Sequence, residues 1–251
     1  MSVHVDAKAY NDSIARAQDQ AREFVRYRLS QVEPGASVDE IREEAQAALS
    51  DAYEIYGYLG ASLAADLYDQ VGLLGKLGLK QAEPWNEYDE GAIERFSYLL
   101  RDKFLEGEEP DLNGFVEMIA NKAAQRVLAA ANRTVERATG RQKDFAKGMR
   151  WARVPTSKNP CGFCIVMASR GFVYTSQAAA GDNLGPYNRY HDHCTCKAIP
   201  GFDGMQLDGY DDAGYLKQYE AAKTEVGNTY IEDLAKAIDK ANGRQAHKKK
   251  K

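Results

Sequence analysis

From Tyr10 onward apolar side chains fall at Tyr10, Ile14, Ala17, Ala21 and Phe24, steps of four and three that put them on one helical face. The stripe stops at "VEPGAS", where Pro34 and Gly35 cannot continue a helix. Ser37 then stands three residues before Glu40, a capping box that satisfies free backbone amides at a helix start. Ile41, Ala45, Ala48, Ala52, Ile55, Leu59 and Leu63 carry the apolar stripe on, so the second helix is predicted to be long and to reach Val71. The glycine-rich "VGLLGKLGLKQAEPW" reads as a loop. Ile93, Phe96, Leu100 and Phe104 mark a third helix, and Val116, Ile119, Ala123, Val127 and Ala130 a fourth that runs from Asp111 to Thr139.

Past Gly140 the texture changes. "RWARVP", "GFVYTS" and "CKAIPGF" are short β-prone runs separated by Gly, Pro, Asn and Asp. Helical spacing returns at Tyr219, Ala222, Val226, Tyr230 and Leu234, with a break at Gly227 and Asn228, before the chain reaches "HKKKK". The expected fold class is therefore α+β, mainly α. A helical region of long antiparallel helices spans 1–140, a small zinc-stabilised α+β domain 141–212, and a C-terminal helix with a basic tail 213–251.

With 251 residues, 44% of them hydrophobic, the chain has enough apolar material for a real core without covalent staples. Its formal charge of −4 gives no overall attraction to nucleic acid or to an anionic membrane, so any electrostatic partner must be met by a local patch. The first residues hold no apolar run of signal-peptide length, and no stretch approaches bilayer-spanning length, which leads to the expectation of a reducing cytoplasm and no membrane contact. Thiols in that compartment more often bind metal or do redox work than form disulfides.

All four cysteines and two of the four histidines lie in residues 161–196, in "CGFC" and "HDHCTC". Zinc favours four soft or borderline ligands in a tetrahedron, and a Cys-x-x-Cys turn fills two corners from one short loop. Cys161 and Cys164 supply that half, with Gly162 easing the turn. His191, Cys194 and Cys196 supply the other; Cys194 and Cys196 share one face of a strand, so periodicity does not choose between them, and His193 is the expected bystander. A largely thiolate site with four protein ligands is closed and structural, so zinc is expected to hold the domain together and to carry out no reaction. Two other uses stay open: a thiol–disulfide centre at Cys161 and Cys164, for which "PCGFC" after a strand has the right local look, and disulfides. The zinc-deaminase pattern fails, because the only upstream histidine, His4, is followed by Val5 and Asp6. No nucleotide-binding loop, nucleophile elbow or paired carboxylate motif occurs, and no enzymatic role is expected.

A helical first half, then "RWARVPTSKNPCGFC", then "HDHCTC", resembles the Mu F-like minor head proteins of tailed bacteriophages. That family's Cys-x-x-Cys is matched by Cys161 and Cys164, and its His-Pro-Asn-Cys-Arg-Cys-like stretch by His191, Cys194 and Cys196. Asp192, His193 and Thr195 depart from it, and the motif match covers roughly residues 150–200. The resemblance implies a minor capsid component bound at the portal protein inside the head, acting in head assembly, DNA packaging or ejection. Major capsid or scaffold protein and packaged DNA are further implied partners, and the virion, after assembly in the host cytoplasm, the implied location.

Between Arg133 and Lys158 stand eight basic residues, Arg133, Arg137, Arg141, Lys143, Lys147, Arg150, Arg153 and Lys158, against Glu136 and Asp144. They read either as a contact for DNA or an acidic portal surface, or as a solvated helix end and linker; the first use would make the domain a zinc-stabilised nucleic-acid-binding module. The terminal lysines at 248–251 are expected to be a solubilising tail. Trp151, Tyr174, Tyr187 and Tyr190 are expected in the small domain's core, and Tyr53, Tyr56 and Tyr58 in core or a helix seam.

Overall fold

The computed structural model describes residues 3–106, 109–176, 180 and 196–244. It divides into two compact units, one of Lys8–Asp66 with Ala82–Thr134, the other of Met1–Ala7, Leu67–Gln81 and Val135–Lys251. The fold is mainly helical α+β.

In the first unit α1 (Lys8–Ser30) buries Tyr10, Ile14, Ala17, Ala21, Val25 and Leu29. α2 (Val38–Ala52) opens on the expected capping box: the Ser37 hydroxyl accepts from the Glu40 amide at 3.3 Å, and the Glu40 carboxylate accepts from the Ser37 amide at 2.7 Å. α4 (Glu90–Phe104) and most of α5 (Leu112–Thr139) follow the predicted spans. Small side chains let these helices approach closely. Ala45, Ala48, Ala61, Ala64, Ala120, Ala123 and Ala124 are all buried, and a Cβ on Gly60 would stand 2.4 Å from the Val127 carbonyl oxygen. Arg26 clamps Glu117 with two 2.7 Å bonds, and Arg28 reaches Glu44 and Asp51, tying α1 to α5 and to α2.

The predicted long second helix is two α-helices, α2 and α3 (Tyr58–Leu74), joined by a π-helical turn at Tyr53–Gly57. A π turn widens the helix and weakens its hydrogen-bond ladder. Here the Asn86 side-chain amide donates to the Tyr53 carbonyl at 2.8 Å and to the Glu54 carbonyl at 3.3 Å. Its carbonyl oxygen accepts from Arg126 at 2.7 Å. Gly57 makes room, since a Cβ there would lie 2.3 Å from the Asn86 oxygen. Arg126 is stacked among the rings of Tyr53, Trp85 and Tyr88, and burial pulls its pKa down. Tyr53 and Tyr56, against Tyr88 and Phe24, sit in a helix seam as expected. Tyr58 does not; on the outer side of the turn it is 57% exposed.

The second unit contains two small sheets. β1 (Val3–Val5) pairs in parallel with β4 (Met205–Leu207), and β2 (Arg150–Val154) pairs antiparallel with β3 (Lys197–Gly201), Trp151 facing Pro200. "RWARVP" and "CKAIPGF" are thus strands. "GFVYTS" is not one: after a left-handed turn at Gly171 it makes only an isolated bridge between Tyr174 and Trp151. Every residue of β2 and β3 except Arg150 is buried, which makes this pair the middle of the unit. α6 (Gln142–Ala146) and α7 (Gly162–Ala168) are short. The tail forms α8 (Asp212–Val226) and α9 (Ile231–Ala241), separated where Gly227 takes φ 69°, at the predicted break. Trp151, Tyr174, Met149, Ile165, Met167 and Ile199 fill the core, and the Tyr174 hydroxyl donates to the Met167 carbonyl at 2.7 Å. Burial pushes the Tyr174 phenol up to about 12. Leu67–Gln81 and the N-terminal strand, assigned by sequence to the helical region, belong to this unit.

Candidate metal centre

"CGFC" forms the first turn of α7. Cys161 is its N-cap, with extended backbone (φ −71°, ψ 156°) and a sulfur that accepts from the Cys164 amide at 3.4 Å. The next residue has to be glycine for a packing reason: a Cβ on Gly162 would lie 2.0 Å from the Ala235 carbonyl oxygen of α9. The Gly162 amide donates to Asp239 Oδ1 at 2.8 Å, and Arg244 pairs with the same oxygen at 3.4 Å. The start of α7 is thereby held against α9, and all seven residues of α7 are buried.

Cys196 arrives from the other motif. It immediately precedes β3, so the β2–β3 register fixes its position. Cys164 and Cys196 are 3% and 1% exposed, and their sulfurs are 2.7 Å apart as free thiols. A disulfide has sulfurs at about 2.05 Å. Two thiolates bound at about 2.3 Å to one tetrahedral zinc stand about 3.8 Å apart. The pair therefore converges on a common point, and would open by about an ångström to admit an ion between them. The Tyr215 phenol of α8 borders the pair: burial raises its pKa, and Cys196, Asp211 and Cys164 raise it further.

Two buried, converging thiols from distant segments suit a soft metal better than they suit surface redox exchange, which needs an accessible thiolate. Among the described residues no three His, Cys, Asp or Glu side chains are grouped closely enough to hold a metal ion. His191, His193 and Cys194, like Tyr187, Tyr190 and the terminal lysines, lie outside those residues. Also among the described residues, no helix is long and apolar enough to cross a membrane.

The basic run does not form one patch. Arg153 is 1% exposed, with its guanidinium over the Phe163 ring and a bond to the Ala180 carbonyl. Arg133 stacks on Trp85. Arg141 bonds to the Lys80 and Gln81 carbonyls and to Asp144. Lys143, Lys147 and Lys158 are exposed. Linear counting saw charge and could not see that Arg153 alternates into a strand core. Nor did it see Lys80, which joins this cluster from a loop with no motif of its own.

The family model described as VG15 protein matches residues 1–222 of this chain. The Gene 15 protein of Mycobacterium phage L5 is 29% identical over 197 residues, which cover 61% of this chain and 63% of that protein. The match thus spans somewhat less than two thirds of the relative's own length. No solved structure matches.

Proposed function

The chain belongs to the VG15 protein family, and from that premise we propose that it is a non-catalytic structural component of a tailed-phage head. In this reading it is akin to the Mu F-like minor head proteins. It sits at the portal, contacts the portal protein and the major capsid or scaffold protein, and acts in head assembly and in DNA packaging or ejection. The relative's phage origin and the Cys/His motif pair support this placement. A protein labelled in purified virions tests it: a few copies per head are expected, and its absence from DNA-filled heads would overturn the placement.

The same proposal assigns a structural zinc site to Cys161, Cys164 and Cys196, completed from His191 and Cys194. The observation that carries it is the meeting of the buried Cys164 and Cys196 sulfurs from segments 32 residues apart. Zinc bound there supplies cross-linking and no reaction. The residues themselves do the positioning: Gly162 and Asp239 fix the first turn of α7, and the β2–β3 pairing fixes Cys196. The rival thiol–disulfide reading requires an exposed, reactive Cys161–Cys164 pair, whereas Cys164 is buried and faces Cys196. Insulin reduction by the purified chain would favour the rival; thiols that react only after chelation support the zinc reading.

A further inference from the structure

A second feature of the Cys-bearing unit has no part in the metal site. Lys80, Arg141, Lys143, Asp144 and Lys147 line a cavity of about 330 Å³. Its frame is rigid. Arg141 donates to the Lys80 and Gln81 carbonyls, each at 2.8 Å, and to Asp144 at 2.6 Å. Asp144 is 2% exposed and also accepts from the Tyr68 hydroxyl at 2.9 Å, so its one negative charge is spent inside the wall. Lys147 bonds the Gly78 carbonyl, a contact that orients the ammonium and neutralises none of its charge. Lys143 is exposed and carries no carboxylate partner among the described residues. Even leaving Lys80 aside, Arg141, Lys143 and Lys147 against Asp144 give the lining a charge of +2, in a chain whose total is −4.

We propose that this cavity seats a phosphate of the DNA backbone. Converging lysines beside an anchored guanidinium are the chemistry that phosphodiesters meet in proteins. No aromatic or amide side chain lines the cavity to read or stack on a base, so binding is independent of sequence and governed by counterion release. The choice of DNA over other polyanions rests on the phage-head reading above; the cavity and its charge do not.

The test uses the purified full chain and fluorescence anisotropy with two unrelated 20-bp duplexes across 50–200 mM salt. Both duplexes bind with equal affinity, and the logarithm of the binding constant falls linearly with that of salt. Replacing both Lys143→Gln and Lys147→Gln makes that slope shallower by about 2, near 0.9 per lost phosphate contact, and weakens binding at least tenfold at 50 mM salt. The exposed pair Lys217→Gln with Lys223→Gln, on α8, leaves both unchanged. No DNA binding by the parent chain, an unaltered slope in the first double variant, or an equal loss in the second overturns the proposal. So does polyglutamate binding as tightly as DNA with the same lysine dependence, which would make the partner an acidic protein surface. Zinc content and presence in virions are measured independently of these lysines, so a failure here is distinguishable from a failure of the proposed function.

Discussion

Replacing Gly162 with alanine puts a methyl group where the backbone of α9 already stands. The new Cβ would lie 2.0 Å from the Ala235 carbonyl oxygen and 2.8 Å from its carbon, and neither atom can swing aside as a side chain would. Reaching ordinary contact requires α7 and α9 to separate locally by more than an ångström, overpacking that costs about 1–3 kcal/mol. The same movement breaks the bond from the Gly162 amide to the Asp239 carboxylate, which is worth about 1.5–3 kcal/mol as a charged hydrogen bond. Alanine's better helix propensity returns at most about 1 kcal/mol. The net expectation is a loss of about 2–4 kcal/mol, or a urea midpoint lower by roughly 1–2 M. The chain has two tryptophans, Trp85 and Trp151, one in each unit. In a Trp85→Phe background the buried Trp151 therefore reports on the Cys-bearing unit alone. A midpoint unchanged or raised by Gly162→Ala would refute the reasoning that this glycine is set by contact with α9.

Asn86→Ala leaves two carbonyls of the π turn and the buried Arg126 without their shared partner, a loss of about 1–3 kcal/mol expected in urea unfolding followed by Trp85 fluorescence. Ser37→Ala removes the N-cap of α2 at a cost of about 1 kcal/mol, measurable by thermal unfolding. The Ser37 amide, and then its hydroxyl, hold the Glu40 carboxyl below the usual carboxylate range. A lowered folded-state pKa gives stability that is present above the unfolded value and lost as pH falls through the lowered one, so the deficit of Glu40→Ala at pH 7 should shrink on acidification to about pH 3. Tyr68→Phe takes one of two donors from the buried Asp144, with an expected loss of about 1–2 kcal/mol in the Cys-bearing unit, read by Trp151 fluorescence.

What the sequence disclosed follows from how far each signal reaches along the chain. α1, α2, α4 and α5 are long helices with one face buried, so their apolar spacing carries both type and extent, and Ser37 with Glu40 is a cap readable within four residues. α7 escaped as a committed element because all seven of its residues are buried, which erases the period that marks a half-buried helix. β1 pairs with a strand some two hundred residues away, and three residues hold no alternation to betray it. The π turn depends on Asn86, which lies in a loop thirty residues downstream of it. At the cysteines, spacing was enough to name the participants, and the convergence of Cys164 with Cys196 came from the β2–β3 register that only the fold sets. Charge was the least legible quantity: Arg153 reads as basic surface and lies in the core over Phe163.

The central claim, that Cys164 and Cys196 belong to one metal site which holds the Cys-bearing unit together, is tested most directly by elemental analysis of the untagged chain purified without chelator. One zinc per chain is predicted, falling well below one in Cys164→Ser and in Cys196→Ser, with chelation lowering the Trp151 transition and leaving that of Trp85 in place. A folded chain with no stoichiometric zinc and a Trp151 transition indifferent to chelator would contradict it.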